Sequence, residues 1–145
     1  MKKIFFTLLT SFFIHFCYAQ ILNPVRFSYT AVKKGNNKYE VHIKSTIEPK
    51  WHIYSVANPE GGAEATVVSV TNAKAIGKVR EIGKMKMIYD KEFKMNQKFY
   101  ETRVDFVQLV SVSKGNKKLA GSVTYMVCND RQCLPPKEVP FEITL

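Results

Sequence analysis

Two cysteines near the carboxyl end have the spacing of a disulfide across a turn. Cys128 and Cys133 are separated by four polar residues that favour a turn, and Pro135-Pro136 then forbid continued pairing inside a sheet. A turn of this length can bring two Cα atoms within disulfide range. The pair is therefore either a structural clip or a redox-active disulfide.

The length of the closed loop does not decide between these two roles. Closing a loop of about six residues stabilises a fold by only about 2 kcal/mol in the chain-entropy description. A disulfide in a surface turn also leaves both sulfurs within reach of another protein's thiolate. The residues alone thus leave two hypotheses open: a thiol–disulfide exchange domain, or a non-enzymatic binding or accessory module whose cysteines clip a turn.

The first nineteen residues predict export. Two lysines precede an apolar run from Ile4 to Phe16, and Cys17-Tyr18-Ala19 offers small residues at the −3 and −1 positions of a cleavage site. We expect residues 1–19 to be a signal peptide and residues 20–145 to be the mature domain, with an uncleaved amino-terminal anchor as the alternative. Export to the periplasm would leave the other two cysteines where thiols can be oxidised.

The charge of the chain is strongly basic. The 145 residues carry a net charge of +10, which falls to +8 after removal of residues 1–19, because that segment holds two lysines and no acidic residue. An exported protein rarely meets nucleic acid, so we expect no nucleic-acid partner. No second long apolar run follows, so the mature form is not expected to span a membrane.

Alternation of apolar and polar residues dominates the rest of the chain. It is typical of half-buried strands and occurs at residues 39–44, 103–110, 123–127 and 139–145. Turn-forming residues separate such runs at 33–37, 58–62 and 114–117. Eight or nine short strands without an amphipathic helix predict a single all-β domain, an immunoglobulin-like β-sandwich.

Three segments resemble a known family. Val-Thr-Tyr-x-x-Cys and Cys-Leu-Pro-Pro-Lys-Glu, within Val123–Glu138, resemble the amino-terminal periplasmic domain of the thiol:disulfide interchange protein DsbD. Trp51–Ser55 resembles the aromatic strand of that family, and Tyr89–Phe93 resembles its acidic-aromatic cap segment. The better-known members have a slightly longer gap between the cysteines, so the geometry of the turn is expected to differ.

The resemblance implies a function for the cysteine pair. The domain would accept electrons from a membrane-embedded or thioredoxin-like thiol donor and pass them to oxidised periplasmic proteins, without a bound cofactor. By position in the family, Cys128 would form mixed disulfides and Cys133 would resolve them. Phe93 would cap the disulfide until a partner docks.

The resemblance also assigns neighbours to the sulfurs. Asp90 and Glu92 would lie beside the cap, and Trp51 and Tyr54 would line the surroundings of the pair. By residue type alone, core packing is the more frequent role for the aromatic residues and a solvated turn for the acidic ones. If the two carboxylates do lie beside Cys128, their charge would disfavour the thiolate and raise the pKa of that thiol.

The histidines and one basic segment are two further features that bear on function. His42 and His52 lie far along the chain from the cysteines, so no metal site is expected. From Lys74 to Lys98, eight basic side chains face only three acidic ones. A solvated strand face accounts for this excess, and a docking surface for an acidic partner or an anionic membrane is the alternative.

Overall fold

The computed structural model describes residues 22–145, so the predicted signal peptide lies outside the described residues. Within this range no helix is long and apolar enough to cross a bilayer. Eight strands form the domain: β1 Val25–Gly35, β2 Lys38–Ile47, β3 His52–Tyr54, β4 Val67–Val70, β5 Ala73–Asp90, β6 Met95–Val112, β7 Lys118–Cys128 and β8 Cys133–Thr144.

The strands form one antiparallel sheet that curls into two facing halves. In the first half β2 and β5 flank the second part of β6, and in the other β4 and β8 flank β7. The short strand β3 joins the halves, because it pairs with both β6 and β7. Aromatic rings meet across the gap: Phe27 and Tyr125 at 5.0 Å between centroids, and Tyr29 and Phe141 at 4.9 Å. The predicted all-β sandwich is confirmed.

The core follows the alternation that the sequence displays. Along β7, every second side chain from Leu119 to Val127 is buried, and the residues between them are half-exposed. Phe106 and Ile43, on neighbouring strands β6 and β2, are opposite one another and fully buried. Because alternate side chains point to opposite faces, each half of the sheet has one apolar face, and the two apolar faces pack against each other between the halves.

Two strands are much longer than the short strands that the sequence predicts. β5 and β6 have 18 residues each, because β6 serves both halves of the sheet. It pairs with β3 at 99–101 and with β2 at 103–111, and Thr102 between these segments has a φ of 64°, unusual for a β-branched residue. The change of partner lets Met85–Asp90 and Met95–Tyr100 continue as a regular hairpin.

Candidate redox site

Cys128 and Cys133 form a disulfide between directly opposite residues of β7 and β8, with Cα atoms 4.0 Å apart. Inside the turn, the Asn129 amide donates to the Gln132 carbonyl at 2.9 Å. The cysteines therefore occupy the next position of the ladder, a non-hydrogen-bonded pair, whose Cα atoms are usually about 4.5 Å apart. The Asn129 side-chain oxygen also accepts from the amides of Arg131 and Gln132, both at 2.9 Å, which fixes the turn.

The two cysteines differ sharply in burial. Cys128 is only 2% exposed, whereas Cys133 lies at the surface. Cys128 packs in a small hydrophobic cluster with Tyr54, Ala63 and Phe99, and Phe93 packs against this cluster from its edge. One sulfur-bearing residue thus belongs to the protein interior and the other faces solvent.

The disulfide borders a cleft of about 540 Å³. The cleft brings together six of the seven residues that the sequence singles out: Tyr54, Asp90, Glu92, Phe93, Cys128 and Cys133. The seventh, Trp51, does not line the cleft; it is 9% exposed and packs in the main core. Segments from three distant parts of the chain therefore meet at one end of the sandwich.

The tip of the β5–β6 hairpin is organised by Asp90. Its Oδ1 accepts hydrogen bonds from the Glu92 amide at 2.8 Å and the Phe93 amide at 3.1 Å. Lys94, which closes the tip, has a φ of 54°. Such side-chain bonds to following amides hold a turn in one conformation, so Asp90 fixes the backbone that presents Phe93 to the cleft.

A buried amide network, which no sequence pattern indicated, supports the cleft from below. Gln97 is 1% exposed, and its Oε1 accepts from the Asn58 side chain at 2.7 Å and from the Ala63 amide at 3.3 Å. Asn58 Oδ1 in turn accepts from the Lys98 amide at 2.8 Å. A Cβ on Gly62 would lie 2.1 Å from the Gln97 side chain. Gly62, which the sequence indicates only as part of a turn, is therefore needed to accommodate Gln97.

His52 is a further cleft residue whose place the sequence did not reveal. It lies opposite Cys128 in the β3–β7 register, and its Nε2 is 3.2 Å from the Tyr54 hydroxyl. Burial lowers the pKa of His52, while Glu101 and Asp130 act in the opposite direction. Burial, with a smaller effect of Asp90, raises the pKa of Tyr54 to about 12. At neutral pH His52 is therefore neutral and Tyr54 keeps its proton.

The sequence of this domain matches a family described as Thiol:disulfide interchange protein DsbD, N-terminal, over residues 19–144. The chain belongs to this family. The resemblance drawn from the three sequence segments is thus confirmed over almost the whole chain. A comparison of the sequence with curated proteins found no significant match.

Solved structures with a similar fold include two domains of the same kind. One is the N-terminal periplasmic domain of ScsB from Proteus mirabilis: TM-score 0.65, 16% identity, 85% of this chain and 47% of that chain covered. Another is the Neisseria meningitidis DsbD N-terminal domain in its reduced form: TM-score 0.57, 18% identity, 81% and 84% covered. The chain spans about half the length of the ScsB structure. The shared fold is the immunoglobulin-like sandwich that the sequence predicts.

Proposed function

We propose that this DsbD N-terminal domain is a periplasmic thiol–disulfide exchange domain, which relays reducing equivalents to oxidised exported proteins through Cys128 and Cys133. The observation that carries the proposal is the position of the disulfide, with one exposed cysteine at the border of a cleft. A clip that served only stability would not need a cleft over its sulfurs. Membership of the DsbD N-terminal family supports the same activity.

Burial favours a different order of action from the one that the family position suggested for the cysteines. A thiolate must approach along the disulfide axis, and Cys133 is the exposed end of the pair. A donor thiolate would attack Cys133 Sγ, forming a mixed disulfide and releasing Cys128 as a thiolate that takes up a proton. A second donor thiolate then attacks the donor sulfur of the mixed disulfide, so that the donor disulfide forms and Cys133 leaves as a thiolate. Two electrons have then passed from the donor to the domain.

Delivery to an acceptor reverses these steps. The Cys133 thiolate attacks the acceptor disulfide and one acceptor sulfur leaves as a thiolate. Cys128 then loses its proton and attacks Cys133 Sγ, which restores the Cys128–Cys133 bond and releases the second acceptor sulfur. The acceptor gains two electrons, and no bound cofactor is required. In this scheme Cys133 forms mixed disulfides and Cys128 resolves them.

The surroundings of the pair suggest how unwanted exchange is limited. Phe93 packs beside Cys128 at the edge of the cleft, so we assign it the role of a cap that must move when a partner docks. Asp90 holds the turn beneath it, and Glu92 adds a carboxylate to the cleft. Tyr54 and Trp51 act through packing, Tyr54 against Cys128 and Trp51 in the core.

The compartment and partners complete the proposal. Residues 1–19 act as a signal peptide, and residues 20–145 form the exported domain. The electron donor is a membrane-embedded or thioredoxin-like thiol protein, and the acceptors are oxidised periplasmic proteins. Thiol chemistry of this kind fits a compartment in which disulfides form and persist.

Trapping of mixed disulfides tests both the activity and the order of the cysteines. Cys128→Ser removes the resolving thiol, so partners should accumulate as adducts of Cys133 in periplasmic extracts, and reduction with dithiothreitol should release them. Cys133→Ser should trap far fewer partners, and the double variant should trap none. Absence of adducts from both single variants would favour the structural clip, and stronger trapping by Cys133→Ser would restore the order taken from the family.

A further inference from the structure

Four residues from four strands lie in one register row that ends at the disulfide. Glu101 on β6 is opposite His52 on β3, His52 is opposite Cys128 on β7, and Cys128 is opposite Cys133 on β8. Directly opposite residues in antiparallel strands project to the same face, with Cβ atoms about 4.5–5.5 Å apart. The row therefore sets an imidazole between a carboxylate and the buried cysteine.

We propose that His52 accepts the proton of Cys128 when that thiol resolves a mixed disulfide, and that Glu101 stabilises the imidazolium that forms. The inference rests on the proposed function, because it concerns a step of the exchange reaction. It adds a proton-transfer group to a site in which residue types pointed to the cysteine pair and the family resemblance to a cap.

The burial of Cys128 creates the need for such a group. Only a thiolate is a competent nucleophile, and an apolar environment disfavours the charged form of a thiol. Cys128 is 2% exposed and packs against Phe99 and Tyr54. The resolving step needs its thiolate at neutral pH, so a base that lies beside it in the register removes an obstacle to exchange.

The step balances in protons and electrons. Cys128 gives its proton to neutral His52, and the thiolate attacks Cys133 Sγ in the mixed disulfide. The Cys128–Cys133 bond forms, the bond from Cys133 to the acceptor breaks, and the acceptor leaves as a thiolate that takes the proton from His52 or water. In the opposite direction, His52 takes up the proton that the donor thiol releases, the donor thiolate attacks Cys133 Sγ, and the imidazolium protonates Cys128 as it leaves.

The contacts of His52 suit this role. If Nε2–H donates to the Tyr54 hydroxyl oxygen, 3.2 Å away, Nδ1 remains to accept a proton. The imidazole also lies against the Phe99 ring, with centroids 4.5 Å apart, which limits its rotation. Glu101 also forms an ion pair with Lys86 of β5, with 2.6 Å between Nζ and Oε2.

Several charged groups besides Glu101 influence the titration of His52. Asp130 acts on it directly, in the direction that favours imidazolium. The groups that face the imidazole or share its cleft are Glu101 and Lys86 on the β6 side, Asp130 and Arg131 in the β7–β8 turn, and Asp90 and Glu92 at the hairpin tip. Burial has the largest effect and lowers the pKa of His52, whereas Glu101 and Asp130 act in the opposite direction and stabilise the imidazolium that forms beside the thiolate.

The decisive experiment measures the reactivity of Cys128 alone. Full-length chains carrying Cys17→Ser and Cys133→Ser leave Cys128 as the sole thiol, and its rate of alkylation by iodoacetamide is followed from pH 5 to 10. Adding His52→Gln should slow alkylation at pH 7 about tenfold, equivalent to a thiol pKa about one unit higher. It should also remove the inflection of the profile near the pKa of His52.

His42 provides the matched control. It is also half-buried on a strand and bound to a carboxylate, Asp105, at 2.8 Å, but it is on β2 and does not line the cleft. His42→Gln should leave the alkylation profile unchanged. Glu101→Gln, which alters a half-exposed side chain, should slow alkylation in the same direction as His52→Gln, and it decides the matter if His52→Gln lowers the melting temperature.

Unchanged profiles in both His52→Gln and Glu101→Gln would overturn the inference. The proposed function is tested separately, by mixed-disulfide formation in chains that retain His52. Failure of that exchange, together with a His52-dependent Cys128 profile, would contradict the proposed function and support the coupling between these two residues. Normal exchange with a Cys128 alkylation profile that does not depend on His52 would support the proposed function and contradict proton transfer to His52.

Discussion

Phe93, at the tip of the β5–β6 hairpin, packs against the hydrophobic cluster that contains Cys128, the last residue of β7. The ring is half-buried there and lines the cleft together with both cysteines. Cys128 itself is buried, while Cys133 is exposed. If Phe93 caps the pair as proposed, the rate at which the disulfide is reduced depends on the conformation of this short hairpin tip.

Shortening the Phe93 side chain should expose the disulfide. In Phe93→Ala we expect reduction of the Cys128–Cys133 bond by dithiothreitol to become about threefold to tenfold faster, equivalent to about 0.7–1.4 kcal/mol in the barrier. Tyr89→Ala is the matched control, because Tyr89 belongs to the same hairpin but is 61% exposed and does not line the cleft. Equal acceleration in both variants would contradict a specific shield at Phe93.

The hydrogen bonds of Asp90 should matter more to the cap than its charge. Asp90→Ala removes the acceptor of the Glu92 and Phe93 amides, so it should speed reduction of the disulfide by dithiothreitol nearly as much as loss of the Phe93 ring. Asp90→Asn keeps a side-chain oxygen and should leave the rate close to that of the parent. An Asp90→Asn variant as fast as Asp90→Ala would show that charge, not turn geometry, is what holds the cap.

Glu92 isolates the effect of charge. It lines the cleft, and a nearby carboxylate disfavours a thiolate. Glu92→Gln should therefore raise the alkylation rate of reduced Cys128 at pH 7, in chains that carry Cys17→Ser and Cys133→Ser, by about twofold to threefold at low salt, and the gain should shrink in high salt. Glu48→Gln, an exposed change that does not line the cleft, should have no effect. A gain that persists at high salt would point to packing instead.

The sequence was sufficient for the fold because the strands obey a simple rule. The alternation of apolar and polar residues along β7 and β8 follows their burial. Turn residues mark where the strands end, so the sandwich could be predicted. The length of β6 could not, since nothing local in the sequence marks Thr102 as the point where the strand changes partner. That choice depends on which strands are available in the folded sheet.

For the site, the sequence identified chemical types but not their exposure or neighbours. The cysteine pair was found from its spacing and Phe93 through the resemblance, yet neither showed which cysteine is buried. His52 was considered only as a metal ligand, because its opposition to Cys128 is a property of the β3–β7 register. The role of Gln97 could not be predicted, because its side chain binds the β3–β4 loop only in the folded domain.

Two buried tyrosines should make the domain sensitive to alkali. Burial raises the pKa of Tyr54 and of Tyr100 to about 12, with Asp90 adding to the first shift and Glu81 to the second. Between pH 10 and 12 the unfolded chain has lost these protons while the folded chain retains them, so the free energy of unfolding is full below pH 10 and falls as pH rises.

Denaturant unfolding at several pH values tests this slope. Tyr54→Phe and Tyr100→Phe should each reduce the loss of stability between pH 10 and 12. Tyr89→Phe, at an exposed position, should retain the loss seen in the parent. An unchanged slope in both buried-site variants would mean that these hydroxyls do not titrate differently in the folded and unfolded chains.

The basic segment from Lys74 to Lys98 has two interpretations: a solvated strand face, which accounts for most of its charge, and a docking surface for an acidic partner as the alternative. β5 is an edge of the sheet, because it pairs only with β6, and its residues 84–89 are all exposed. The same strand ends in the cleft, where Ile88 and Asp90 contribute to the lining. In the docking interpretation, a partner on this strand would therefore border the cleft that Cys133 lines.

Salt and charge reversal separate docking from a merely solvated face. If the surface docks an acidic partner, exchange with that partner should slow several-fold from 0.05 to 0.5 M salt, since the Debye length shrinks below 10 Å. Reversing Lys84 and Lys91 to Glu should reproduce this loss at low salt and abolish the salt dependence. Reversing Lys33 and Lys114, exposed at the other end of the sandwich, changes the net charge equally. An identical loss in this control pair would mean that the total charge, and not the β5 surface, guides the partner.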